Sequence, residues 1–117
     1  MKPMANHRDP YAKLLSYLGL AMRAGKLATG EDGALRAIRS GQARLVVMST
    51  DASANTQKKF RDKCRFYQVE LAECCTRQKL GAAIGKPERV VIAVLDSGLA
   101  QLMKKCLSTL TEVKHIE

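Results

Sequence analysis

Two short segments, separated by a stretch typical of a strand, a helix and a second strand, show the same order of local signals. The first segment runs from Gly30 to Gly41, and the second runs from Thr76 to Arg89. Each begins in a loop, enters a helix and reaches a glycine before an apolar strand. Backbone N–H groups at the start of a helix lack intrahelical partners and favour anionic groups. The two segments therefore predict helix entries, within an alternating helix–strand fold, that can receive an anionic partner.

The balance of charges indicates the class of that partner. The chain has 117 residues, of which 20 are Lys or Arg and 11 are Asp or Glu, so its formal net charge is +9. Such an excess on a small domain is typical of a protein that meets a nucleic acid or an anionic membrane surface. We expect no membrane partner, because no apolar run approaches the roughly 20 residues that span a bilayer. Since histidine occurs only twice, an RNA-binding site is favoured over a catalytic one.

The cysteines are expected to be free thiols. The amino-terminal residues lack the apolar core of a signal peptide, which predicts a cytoplasmic location, where thiols stay reduced. Adjacent cysteines lack the two-residue gap of a zinc knuckle, and His7 and His115 lie near opposite ends of the chain. We therefore predict no metal site and mostly buried thiols that pack as small hydrophobes. These thiols belong to Cys64, Cys74, Cys75 and Cys106.

Helical and strand-like patterns alternate along the chain. Helices are predicted over residues 11–24, 31–40, 56–67, 77–84 and 97–107, the last ending near Leu107. Strands are predicted over 26–29, 45–49, 69–74 and 90–95. This alternation predicts the α/β class, as a three-layer α/β/α sandwich around a small mixed sheet. We expect a flexible extension over 1–10, a single RNA-binding domain over 11–108 and a polar tail over 109–117.

Several ordered segments resemble a known family. They are Leu18 to Lys26, Gly30 to Gly41, Leu45 to Asp51, Asp51 to Phe60, Thr76 to Gly85 and Ile84 to Val94. With these segments the chain resembles the kink-turn-binding ribosomal protein family, of the L-seven-Ae and L-thirty-e type. The closer match is the bacterial branch called YlxQ, and the resemblance covers roughly residues 11–103.

The resemblance implies an α/β/α sandwich that binds RNA kink-turns, which are sharp bends flanked by sheared G·A pairs. It implies no enzymatic activity and no cofactor. In the family, the loop and first turn of the second helix sit against the G·A pairs. A later serine–lysine pair, here Thr76 and Arg77, approaches the RNA backbone, and the loop at 86–89 packs against the bend. The candidate RNA-binding residues are therefore Gly30, Glu31, Asp32, Gly33, Arg36, Thr76, Arg77, Lys86, Pro87 and Arg89.

The chain departs from the archaeal and eukaryal pattern at the helix entry. Those members resemble one another in carrying Asn-Glu where this chain has Asp32-Gly33, and the family commonly has lysine where this chain has Arg36. An ionised aspartate only accepts hydrogen bonds, so Asp32 or Glu31 would accept from guanine N–H groups. Arg36 lies one helical turn after Asp32, where it could pair with it in the free protein and turn to phosphate or guanine in a complex.

The sequence favours RNA binding over two other classes of function. An enzyme is not predicted, because the sequence has no nucleophile elbow, P-loop, paired histidines or dinucleotide fingerprint. A basic protein–protein adaptor in translation or RNA processing is the alternative, with the basic helix over 56–67 meeting an acidic partner. We expect a monomer, with the cations of that helix forming mainly solvated surface. Ribosomal RNA, a riboswitch and a small regulatory RNA all fit as targets.

Overall fold

The structure is a computed structural model that describes residues 9–116, with side chains through residue 110. The predicted extension over 1–10 thus lies mostly outside the described residues. The helices are α1 Ala12–Arg23, α2 Gly30–Arg39, α3 Ala54–Tyr67, α4 Arg77–Ala83 and α5 Ser97–Ile116. The strands are β1 Leu27–Thr29, β2 Leu45–Met48, β3 Leu71–Glu73 and β4 Val91–Val94. Every predicted element therefore forms.

The four strands form one mixed sheet in the order β1-β4-β2-β3. Strand β4 runs antiparallel to both of its neighbours. Its Val94 lies opposite Leu45 of β2 and opposite Leu27 of β1. Strands β2 and β3 are parallel. Consequently β1, β2 and β3 all finish at one end of the sheet, where β4 begins. We call this end the carboxyl end of the sheet.

Helices cover both faces of the sheet, which confirms the three-layer sandwich. Every residue of β2 and β4 is buried. On one face, Leu45 and Val47 pack in a core cluster with α1, α4 and α5, and on the other face Val46 and Met48 pack with α2 and α3. Because side chains alternate between the faces and both faces are dry, these strands are continuous apolar runs.

Side-chain caps mark the starts of three of the five helices described. Ser53, Thr76 and Asp96 accept hydrogen bonds from backbone N–H groups in the first turns of α3, α4 and α5. The predicted end of the last helix near Leu107 is wrong, because α5 continues to Ile116. Residues 108–116 contain neither glycine nor proline, so nothing in the local sequence interrupts the helical backbone.

The packing of α3 on the sheet depends on Phe60, which has no solvent exposure, whereas Phe66 on the same helix is 77% exposed. We expect Phe60→Ala to lower the free energy of unfolding by about 3–5 kcal/mol, because it leaves a cavity in the core. Phe66→Ala is the matched control and should change it by less than about 0.5 kcal/mol. Urea unfolding followed by circular dichroism measures both. Equal losses would contradict this account of how α3 is held.

Candidate nucleic-acid interface

Most of the predicted site residues lie at the carboxyl end of the sheet, whereas Arg36 lies in the last turn of the helix that begins there. Strand β1 ends at Thr29 directly before α2, β3 ends just before the first turn of α4, and β4 begins after the loop over 86–90. The two sequence segments therefore meet although they lie far apart in the chain. Between them is a shallow depression of about 330 Å³. It is lined by Thr29, Gly30, Glu31, Glu88, Arg89, Val90 and Val91.

The first turn of α2 forms one wall of this depression. Gly30 has a φ of +85°, in the left-handed region that favours glycine. Thr29 precedes the helix in an extended conformation, and its side chain makes no capping hydrogen bond. The N–H groups of this first turn therefore have no cap from that side chain, as an anion-binding helix entry requires.

Asp32 and Arg36 are both exposed on α2, one turn apart. The ion pair considered between them does not form, and neither side chain has a polar partner among the described residues. Such an exposed pair would contribute only about 0.3–0.5 kcal/mol, so its absence costs little stability. The guanidinium of Arg36 is therefore open to an external anion.

Glu31 is engaged within the protein. Its Oε2 atom accepts a hydrogen bond from the buried hydroxyl of Thr56 at 3.0 Å, and its Oε1 atom pairs with Lys59 at 3.3 Å. Thr56 in turn accepts from the hydroxyl of Ser53 at 3.1 Å. The carboxylate thus links the first turn of α2 to α3 through a hydrogen bond and an ion pair. An acceptor role towards guanine would compete with these contacts.

Arg77 is held by Asp51, a residue absent from the predicted site. The Arg77 backbone N–H donates to Asp51 Oδ1 at 3.2 Å, and Arg77 Nε lies 3.4 Å from the same oxygen. The pKa of Asp51 is lowered, first by the nearby Ser49 hydroxyl and then by the N–H and guanidinium of Arg77, although the Ser49 hydroxyl makes no hydrogen bond of normal geometry among the described residues. The carbonyl of Arg77 accepts from the N–H of Arg89 at 3.0 Å. This network joins the β2–α3 loop, α4 and the loop before β4.

The loop over 86–89 forms the second wall and rests on Gly81 of α4. The Lys86 N–H donates to the Gly81 carbonyl at 2.8 Å. A Cβ atom on Gly81 would lie 2.5 Å from the Cα of Glu88, so a larger residue cannot fit without displacing this loop. Lys86 and Pro87 are exposed, and Arg89 donates to the Glu88 carbonyl. The only sequence signal for Gly81 is a glycine inside a short predicted helix.

The cations of α3 are largely paired with acids of the protein itself. Lys58 contacts Asp62 at 2.8 Å, and Arg61 makes two 2.7 Å hydrogen bonds to Glu73. These pairs neutralise much of the helix that the sequence predicts to be strongly basic. Arg36 and Lys86, by contrast, have no carboxylate partner among the described residues.

The cysteines are free thiols, and the described residues show neither a metal-binding cluster nor a membrane-spanning helix. Cys64 and Cys74 are buried free thiols and Cys75 and Cys106 are half-buried; burial raises the pKa of Cys64 to about 11. Within the described part of the chain, no three His, Cys, Asp or Glu side chains are grouped so that they could hold a metal ion. None of the helices described has the length and apolarity needed to cross a membrane.

Comparison with known proteins places these features in a family. The model of the ribosomal protein L7Ae/L30e/S12e/Gadd45 family matches residues 12–104. The chain is 49% identical over 83 residues to the RNA-binding protein YlxQ of Bacillus subtilis, covering 71% of this chain and 83% of that protein. It is 31% identical over 91 residues to the large ribosomal subunit protein eL30 of Tetrahymena thermophila, covering 76% and 88%.

A solved structure is similar in fold at low identity. The Giardia lamblia 15.5kD RNA binding protein superposes with a TM-score of 0.76 at 17% identity, covering 90% of each chain. At that identity the likeness concerns the α/β fold, in which five helices surround a mixed four-stranded sheet.

The close approach of the Glu88 backbone to Gly81 can be tested by a matched pair of substitutions. We expect Gly81→Ala to lower the free energy of unfolding by about 1–3 kcal/mol, because the methyl group would overlap the loop backbone. Gly33→Ala is the control, since its nearest neighbour would be Ala28 Cβ at 3.8 Å; it should be neutral or stabilising by up to about 1 kcal/mol. Urea unfolding measures both values. A stable Gly81→Ala protein with unshifted amide NMR signals over 86–89 would contradict this packing.

Proposed function

The chain belongs to the ribosomal protein L7Ae/L30e/S12e/Gadd45 family, a family of RNA-binding, ribosomal-type proteins, and we propose that it recognises kink-turn RNA. In this proposal the RNA bend sits at the carboxyl end of the sheet, between the first turn of α2 and the loop over 86–89. The protein acts there without catalysis and without a cofactor, as a cytoplasmic monomer. Its target is a structured RNA, and ribosomal RNA is one candidate.

The observation that carries the proposal is the depression shared by two distant segments, with Gly30 and Glu31 on one side and Glu88 and Arg89 on the other. A sharply bent RNA brings phosphates of separate strands close together. A protein that binds such a bend needs cations close to these phosphates and backbone that can approach closely. Arg89 in the depression and Arg77, whose carbonyl accepts from the Arg89 N–H, meet the first need, and Gly30 meets the second.

Selection of the bent form follows from where these cations lie. Phosphates crowd at a kink, so the bent RNA is disfavoured when divalent ions are scarce. Positive groups beside the bend bind the bent form more tightly than the extended form, and this difference in affinity shifts the RNA population towards the kink. The protein then stabilises an RNA shape as well as binding it.

An adaptor function is supported less well. It would use the basic surface of α3 to meet an acidic partner, but Lys58, Lys59 and Arg61 are each paired with a carboxylate of the same chain. A partner would have to break these pairs before it gained new ones. The unpaired guanidinium of Arg36 in the last turn of α2 needs no such exchange.

The unpaired state of Arg36 leads to a prediction for binding. Arg36→Ala should weaken binding to a kink-turn RNA by about 1–3 kcal/mol, the range for a charged contact to a base edge. Lys58→Ala should change little, because Lys58 is 79% exposed and paired with Asp62. Gel shifts with the kink-turn and with an RNA lacking the sheared G·A pairs measure both variants. Equal losses would indicate diffuse electrostatic attraction in place of a defined site.

The proposed shape selection has its own test. Adding the protein to an end-labelled kink-turn RNA in low-magnesium buffer should increase energy transfer between the labels, because the kinked population rises. The double variant Arg77→Ala with Arg89→Ala should blunt this response by removing two cations beside the bend. Circular dichroism checks that the variant is folded. If the protein binds and the distance between the RNA ends stays unchanged, the proposal fails and general RNA affinity accounts for the charge.

A further inference from the structure

We infer that Asp51 is a positioning residue of the RNA site, which orients Arg77 and, through the Arg77 backbone, Arg89. This inference rests on the proposed function and deepens it, since Asp51 belongs to neither of the two segments that the sequence indicates. Its carboxylate has the same sign of charge as RNA, so a direct contact with phosphate would be repulsive. Its role therefore lies in its effect on the neighbouring cations.

The side chain and backbone of Asp51 together hold one edge of the Arg77 guanidinium. Oδ1 receives the Arg77 N–H at 3.2 Å and lies 3.4 Å from Nε, while the Asp51 carbonyl accepts from Nη2. Nη1 has no partner among the described residues. A guanidinium fixed along its Nε–Nη2 edge presents its remaining donors in one orientation, which reduces the entropy lost when it binds an anion.

The same loop fixes the backbone that carries Arg77. Thr50, next to Asp51, donates to the Cys75 carbonyl through both its N–H, at 2.8 Å, and its hydroxyl, at 3.1 Å. Cys75 has a φ of +67°, which is uncommon for a residue with a side chain and needs such support. The carbonyl of Arg77 then receives the Arg89 N–H at 3.0 Å. Residues 50–51 thus set the position of both arginines.

A positioning role and a simple charge effect predict opposite changes in RNA affinity when the charge of this carboxylate is removed. If Asp51 were only a negative charge near the site, neutralising it would strengthen binding to an RNA polyanion. If Asp51 orients Arg77, neutralising it releases the guanidinium and weakens binding. The direction of the change therefore discriminates between the two.

The test is Asp51→Asn, which keeps the shape of the side chain and removes its charge. We expect its affinity for a kink-turn RNA to fall about five- to tenfold, the range for losing a charge-assisted hydrogen bond. Asp62→Asn is the matched control, because Asp62 is also exposed and ion-paired, with Lys58 and Arg65 on α3. The control should bind as the wild-type protein does or slightly more tightly. Tighter binding by Asp51→Asn would overturn the inference.

A double-mutant cycle tests whether Asp51 acts through Arg77. In the Arg77→Ala background, adding Asp51→Asn should cause no further loss of affinity, whereas losses that add would overturn the inference. The Arg77 Nε–Hε signal in ¹⁵N NMR spectra of the free protein reports the pairing without RNA. It should shift in Asp51→Asn and not in Asp62→Asn, and an unchanged signal would also overturn the inference. If instead the wild-type protein binds kink-turn and G·A-deficient RNA equally, the proposed function fails. The NMR signal would still show whether Asp51 is paired with Arg77 in the free protein.

Discussion

The antiparallel pairing of β4 between β1 and β2 is the constraint on which the rest of the structure depends. Because β1, β2 and β3 run in one direction and β4 in the other, the start of β4 lies where the other three strands finish. The loop that precedes β4 is thereby brought against the entry of α2. In a parallel arrangement that loop would lie at the opposite end of the sheet, and the two walls of the depression would not meet.

Close backbone contacts then set the shape of the interface. The loop over 86–89 lies against Gly81 because the absence of a side chain there leaves room for the Glu88 backbone. Asp51 and Arg77 connect the β2–α3 loop to α4 at the same end of the sheet. The positions of Arg77, Lys86 and Arg89 thus depend on backbone contacts and on the Asp51 carboxylate, which is how a small domain can hold charged groups in place on its surface.

The net charge and the distribution of charge carry different information. A net charge of +9 indicates a polyanion partner but says nothing about where it binds. Helix α3 has the densest run of cations, yet Lys58, Lys59 and Arg61 are paired with acids of the chain. Arg36 on α2 has no such partner among the described residues. An acid close in space therefore matters more than the local count of basic residues.

The sequence by itself determined the alternation of helices and strands and the family to which the chain belongs. These features depend on neighbouring residues or on ordered motifs, so they can be read along the chain. Only the tertiary structure decided that Glu31 is held by α3, that Asp51 holds Arg77 and that Gly81 makes room for Glu88. The first two of these contacts join residues more than twenty positions apart, and all three depend on how helices pack on the sheet, a geometry that local patterns do not contain.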